Sequence, residues 1–197
     1  MKMNGTRYRE SAAYIEEKML NGLSGKFQYH NLEHVKDVLD AAIRLGEMEG
    51  ISNHDMEMLK VAVMYHDAGY IKGLKDHESL SCEIVRDKLP GFGYAEEEIE
   101  IICGLIMATK IPQTPQSRLQ EIICDADLDY LGRDDFFEIG DNLFLEFRKY
   151  GLLSTEAEWQ AMQQKFLENH SYFTASAKKL RDAKKLENLE KVKQKIT

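Results

Sequence analysis

The sequence predicts an all-α protein folded as a single helical domain. Apolar residues recur at i, i+3 and i+4 spacing along most of the chain. No Thr/Val-rich alternating segment is long enough to read as a sheet. Only three prolines occur, Pro90, Pro112 and Pro115, and they fall at two apparent loops. With 197 residues, the chain suffices for one domain that buries roughly 70% of its unfolded surface. No linker, repeat or low-complexity block divides it, so the expected domain covers residues 1–197. Its core is expected over about 27–150, with C-terminal helices over 155–195 docking on it.

Eight to nine helices follow in order. Tyr8 to Leu20 places Tyr8, Ala12, Ile15 and Met19 on one side. Leu32 to Met48 carries Val35, Val38/Leu39, Ala42 and Leu45 at helical spacing. Asn53 is a candidate cap for a third helix, which runs through Met56, Leu59 and Val63 into His66. A fourth extends from about His77 to Leu89 and stops at Pro-Gly-Phe-Gly. The fifth, Tyr94 to Lys110, shows Ile99, Ile102/Cys103 and Ile106 before the prolines break it. The sixth covers Leu119 to Leu131 and ends at Gly132; the seventh spans Asp135 to Tyr150, followed by Gly151. Thr155 with Glu158 forms a capping box for an eighth. From about Ser171 a lysine-rich helix continues to the end, with Phe173, Leu180, Leu186, Leu189 and Ile196 as a thin apolar stripe. Its first half is expected to dock and its end to fray.

Composition narrows the function classes. A chain 43% hydrophobic and 30% charged is globular, and no segment approaches the ~20 apolar residues of a membrane span. The polar N-terminal run reads as no signal peptide, so Asn169-His170-Ser171 has no secretory context. Cys82, Cys103 and Cys124 are widely spaced and lack a C-x-x-C pair; buried reduced thiols and a cytoplasmic location are expected. The net charge of −8 argues against broad nucleic-acid or anionic-membrane binding. It leaves room for a small phosphorylated substrate, because a bound metal inverts the local field.

Three short stretches carry chemistry. Val61 to Tyr70 reads V-A-V-M-Y-H-D-A-G-Y, an apolar run ending in the adjacent pair His66–Asp67, with Gly69 as a helix stop. An imidazole and a carboxylate from one short piece of backbone suit a divalent metal that accepts mixed N and O ligands. Upstream, His30 and His34 stand at i and i+4, one turn apart on a helix face. Downstream, Asp125, Asp127 and Asp129 alternate beside an apolar run, where acids are also favoured simply by a helix start.

The order H … H-D … D resembles the HD-domain superfamily of metal-dependent phosphohydrolases. Tyr29 to Val38 (Y-H-N-L-E-H-V-K-D-V) is similar to the Y-H-N-x-x-H-x-x-D-V signature of cyclic-nucleotide phosphodiesterases. The segments H-D-A-G-Y, H-E-S (His77 to Ser79), A-T-K (Ala108 to Lys110) and D-A-D-L-D-Y-L-G (Asp125 to Gly132) resemble small bacterial HD phosphohydrolases. Matching blocks span about residues 29–150. The resemblance implies a helical bundle of the HD type and a metal-dependent hydrolysis of a small phosphate ester such as a nucleotide.

By that resemblance His34, His66, Asp67 and Asp127 are the metal ligands. Asp125 rivals Asp127; the superfamily's final aspartate usually follows an alanine, as Asp127 does. On a helix the two point about 200° apart, so one of them faces the metal. Two His and two Asp suit Mn²⁺, Fe²⁺, Co²⁺, Ni²⁺ or Mg²⁺ better than a closed zinc site, although Zn²⁺ also fits the ligand types. Such a cation brings the pKa of bound water from 15.7 to about 7 and acts as a Lewis acid. Asp67 would ligate it and orient or deprotonate the water. His30 sits where the phosphodiesterases keep a histidine that protonates the leaving oxygen; the alternative is a histidine that orients other groups. His77 and Glu78 are candidates for a second ion or a substrate phosphate, or else mark an exposed helix start. His77 is the only histidine between the pair and the last Asp, which favours one ion or a weakly held second one. Lys110 is a candidate phosphate contact. His54 and His170 read as surface residues, Trp159 and the Tyr/Phe set as core.

Two other readings stay open. Some HD-fold proteins hold two irons and use O₂, and a non-catalytic interaction domain would keep the metal for stability. All-α folds of this size often dimerise, and the lysine-rich tail is a candidate docking helix.

Overall fold

The computed structural model describes residues 4–23 and 25–196, with the side chains of 6–23 and 25–195. Among them it contains nine α-helices and no strand. In order these are α1 (Asn4–Leu23), α2 (Leu32–Met48), α3 (Asn53–Tyr65), α4 (His77–Lys88), α5 (Glu96–Ala108), α6 (Arg118–Asp127), α7 (Phe136–Lys149), α8 (Glu156–Asn169) and α9 (Ala175–Ile196). Short 3-10 turns at Ala68–Ile71, Leu89–Phe92 and Asp129–Gly132 follow α3, α4 and α6. No helix is long and apolar enough to cross a membrane among the described residues.

The second half of α3, residues 61–65, is apolar on all sides, and a segment of that kind must be covered on all sides. Met58, Leu59, Val61, Ala62, Val63, Met64 and Tyr65 are each at most 1% exposed. α1, α2, α5 and α6 pack around it. Each large apolar side chain buried this way contributes about 1.5–3 kcal/mol, so the apolar run before His66 anchors the first core. α4 lies against α5 and against the turn Ala68–Ile71. A second apolar cluster joins α7, α8 and α9 through Leu131, Phe136, Leu167, Leu189 and Val192. The three cysteines are free and buried.

Several local expectations shift. The cap of α3 is Ser52, whose hydroxyl accepts the Asp55 N–H (3.1 Å); Asn53 is already helical. α6 stops at Asp127 and the chain tightens into a 3-10 turn that ends at Gly132. There a Cβ would come within 2.5 Å of Arg181, so Gly132 lets α9 pass close to the turn. Arg181 grips the buried Asp129 with two 2.8 Å bonds, and Arg44 of α2 adds a third at 3.0 Å.

The C-terminal end of α9 docks instead of fraying. Asn188 donates to the Leu131 and Arg133 carbonyls, and Val192 is fully buried. The face that packs follows Ala177, Arg181, Asn188 and Val192, so two of its anchors are polar. Leu180 and Leu186, assigned to the apolar stripe, are exposed, and the Ile196 side chain lies outside the described residues. His170 is half-buried where α8 turns back into α9, between the Phe166 and Tyr172 rings. His54 is exposed as expected.

Burial, reinforced by Lys185, pushes the His170 pKa down to about 4. A histidine that is ordinarily half-protonated near 6.5 is then neutral in the fold, and unfolding binds its proton at intermediate pH. Stability from this residue is complete above about 6.5 and is lost as pH falls toward about 4. Thermal melts across that window should show a shallower decline for His170→Phe than for the wild type.

Gly69 has a different role from the expected helix stop. α3 has already ended, and a Cβ at Gly69 would land on the His77 carbonyl oxygen. Gly69→Ala should therefore destabilise the fold by about 1–3 kcal/mol or more in urea titration. It should also weaken Mn²⁺ binding, because the displaced turn begins next to Asp67.

Candidate metal centre

Three helix ends bring the predicted residues to one place. Asn31 caps α2, its side-chain oxygen accepting the N–H groups of Glu33 (2.8 Å) and His34 (3.2 Å), which sets His34 in the first turn. His66 follows the last residue of α3, and Asp67 leaves the helix with φ −100° and ψ 3°. Asp127 closes α6. α2 packs against both α3 and α6, so these ends meet. Ser81 of α4 holds the backbone beside the pair: its hydroxyl donates to the His66 carbonyl (2.7 Å) and accepts the Gly69 N–H (2.8 Å).

His34 Nε2 lies 3.2 Å from Asp127 Oδ1 and 3.6 Å from Asp67 Oδ2. His66 Nε2 lies 3.3 Å from Asp67 Oδ2 and 3.5 Å from Asp127 Oδ1. His66 Nδ1–H donates to the Val63 carbonyl at 2.7 Å, which leaves Nε2 as the free lone pair. His66 Nε2 and Asp67 Oδ2 are both buried and have no hydrogen-bond partner. Leaving a polar atom buried and unpaired costs about 1–3 kcal/mol, and here two such atoms face one another. Donors bound to one ion at ~2.0–2.2 Å stand about 3 Å apart. The spacing fits a divalent cation at His34, His66 and Asp127, whose ligand atoms all lie within 4.8 Å of one another, with the orphaned Asp67 oxygen beside the two imidazoles.

The electrostatics match. Burial opposes a charge on His66, yet Asp67 and Asp127 outweigh it and raise the imidazole to about 9. Both carboxyls are held below the usual range by the neighbouring imidazoles despite their burial. Asp125, two residues from Asp127, points elsewhere: its carboxylate accepts the Phe173 and Thr174 N–H groups, each at 2.8 Å, just ahead of α9.

His30 is not on the helix of His34. It precedes the cap, in the loop entering α2. Its Nδ1–H donates to Glu146 Oε1, and Glu146 Oε2 also accepts the backbone N–H groups of Tyr29 (2.9 Å) and His30 (3.1 Å). Nε2 faces the Tyr70 hydroxyl at 3.3 Å. Burial opposes the His30 cation, but the Glu146 bond and the Asp67, Glu146 and Asp127 charges raise its pKa. Sequence reasoning missed Glu146; its signal is an acid inside the apolar run Leu143–Phe147, now 3% exposed.

His77 stacks on Tyr70, with ring centroids 4.2 Å apart. Its Nε2 lies 3.5 Å from Asp67 Oδ1, the oxygen turned away from His34 and His66, and 3.5 Å from Glu78 Oε1. The Lys110 ammonium, at the rim, donates to Asp76 at 2.8 Å. A cavity of about 670 Å³ is lined by His30, His34, Asp67, His77 and Asp127, and it continues between α7 and α8. Trp159 is buried as expected of a core residue, and it also walls that far end.

Two imidazoles and two carboxylates presented by three packed helix ends define a helical protein with a cluster suited to a divalent cation. The family model of the HD domain matches residues 31–129, from the cap of α2 to just past α6, and the chain belongs to this family. Two solved structures share the fold. A predicted HD superfamily hydrolase from an uncultured Thermotogales bacterium aligns over 94% of this chain and 89% of its own, with a TM-score of 0.62 at 18% identity. Bacillus subtilis YpgQ in complex with ADP aligns over 97% and 94%, with a TM-score of 0.69 at 18% identity. No curated protein matches the chain.

Glu146→Gln tests the His30 pair. The variant keeps the shape and removes the charge, so the His30 pKa should fall, read from the pH titration of its ring proton by NMR. An unchanged titration would contradict the coupling.

Proposed function

We propose that this protein is a metal-dependent phosphohydrolase of a small phosphate ester, with a nucleotide as the preferred class. The observation that carries the reading is the facing pair of unpartnered buried atoms, His66 Nε2 and Asp67 Oδ2, inside the H … H-D … D cluster. The YpgQ structure, solved with ADP, supports a nucleotide as the substrate class. A bound divalent ion such as Mn²⁺, Fe²⁺, Co²⁺, Ni²⁺ or Mg²⁺ would supply Lewis acidity and lower the pKa of water from 15.7 to about 7.

The chain's own groups complete the chemistry. His34, His66, Asp67 and Asp127 hold the ion. Asp67 Oδ1 is directed away from His34 and His66, and it orients the attacking water and takes the proton that water releases. His77, beside that oxygen and stacked on Tyr70, donates to a phosphoryl oxygen. Lys110 at the rim offers a second positive charge once it leaves Asp76. His30, kept protonated by Glu146, delivers the Nε2 proton to the leaving oxygen as the P–O bond breaks, and the water oxygen forms the new P–O bond. An acid placed in this way is worth ~10²–10⁴ in rate.

The protein loaded with Mn²⁺, Co²⁺ or Ni²⁺ should turn over an aryl phosphate or members of a nucleotide panel. His66→Ala and Asp67→Ala should abolish the activity, and His30→Ala should lower kcat by about 10²–10⁴ with the fold intact by circular dichroism. A folded, metal-loaded wild type with no turnover on the panel would overturn the reading.

A further inference from the structure

The end of the cavity farthest from the cation cluster contains an anomaly. Gln163 of α8 is 9% exposed and lines the cavity, and among the described residues its amide has no hydrogen-bond partner. Its neighbour Gln164 is tied to Glu168 at 2.9 Å. The walls around Gln163 are apolar or aromatic: Trp159, Phe136, Leu143, Phe147 and Phe166. An amide brings one acceptor and two donors in a plane, and here they are open to the cavity and free to meet a ligand.

The opposite helix makes room for it. Gly140 of α7 has no side chain, and a Cβ there would stand 2.8 Å from Gln163 Nε2 and 3.6 Å from Trp159 Cζ2. The amide therefore stands against Gly140, with the Trp159 ring edge on the same side, in a cavity that also contains the cation cluster. At about 670 Å³ the space is of the size that encloses a small organic ligand. Aromatic walls take a flat ring by stacking, and a coplanar donor–acceptor amide matches an adjacent donor–acceptor pair on the edge of a heterocycle. This combination reads a base taken out of its stack in other proteins.

We propose that the α7–α8 end of the cavity binds a planar nitrogen heterocycle of the nucleobase type, with the Gln163 amide hydrogen-bonding its edge and setting specificity. The proposal rests on the phosphohydrolase reading only in placing the phosphate at the cation cluster. Binding of the ring itself does not need that reaction.

The chain has one tryptophan, Trp159, so its emission reports this end of the cavity. The full-length protein in EDTA would be titrated with adenosine, guanosine, cytidine and uridine, and with a naphthyl riboside that has the shape but no edge groups. At least one nucleoside should quench Trp159 saturably and bind ten-fold or more tighter than the naphthyl compound. Gln163→Leu should erase that preference while melting at the wild-type temperature. Gly140→Ala, which crowds the amide without adding polarity, should weaken the same nucleoside. Gln163→Glu, which can only accept, should shift preference toward a base edge bearing adjacent donors. No saturable quenching by any nucleoside would overturn the proposal, as would wild-type preference in Gln163→Leu. Nucleoside binding without turnover of any phosphate would instead remove the hydrolase reading alone, and turnover with no base preference would remove this one alone.

Discussion

His66 and Asp67 are consecutive residues at the end of a helix whose last turns have no solvent-facing side, and each is buried with an atom that nothing among the described residues pairs. The rest of the site is arranged around that constraint. Val63 takes the other ring nitrogen of His66, so the free lone pair is fixed in direction. Ser81 satisfies the backbone on either side of the pair, which leaves only side-chain atoms unmatched. His34 and Asp127 arrive from α2 and α6, and their ligand atoms lie 3.2–3.6 Å from one another and from those of the pair. The carboxylates of Asp67 and Asp127 outweigh the burial of His66 and raise its imidazole to about 9.

Around this point Asp67 divides two environments. One oxygen faces His34 and His66; the other faces His77 and opens to the cavity. Tyr70, three residues on, links His77 by stacking to His30 by its hydroxyl, and Glu146 locks His30 from behind. The cluster of His34, His66, Asp67 and Asp127, the His30–Glu146 pair and the cavity are thus connected through direct contacts of neighbouring rings and carboxylates. The aromatic end of the cavity belongs to the second core, so α7 and α8 wall the cavity while α2, α3 and α6 present the cluster.

What the sequence reveals follows from how local each signal is. Helices and most of their ends were legible because caps, glycines and apolar spacing act within a turn or two; the capping box of Thr155 and Glu158 is formed as expected. The convergence of His34, His66, Asp67 and Asp127 was legible because each sits in a short motif; helix rotation showed that one of Asp125 and Asp127 faces the others, and the alanine before Asp127, through the family resemblance, chose between them. Glu146 was not legible: its partner His30 is 116 positions away, and an acid two residues before Arg148-Lys149 reads as exposed. His30 itself was misplaced onto α2 because i, i+4 spacing says nothing of a cap lying between the two histidines. α9 was misread for a similar reason. Its docking face is anchored by Arg181 and Asn188, and an apolar count passes over both.

The two acids of α6 share out separate duties along one short rod. Asp127 at its tip looks toward the cation cluster, while Asp125 clasps the chain just before α9. Because α6 is only 10 residues long, little flexible backbone separates the clasp from the cluster. A molecule that gripped or peeled away the C-terminal helix would therefore pull on the very segment that aims Asp127, giving the far end of the chain mechanical leverage over the centre.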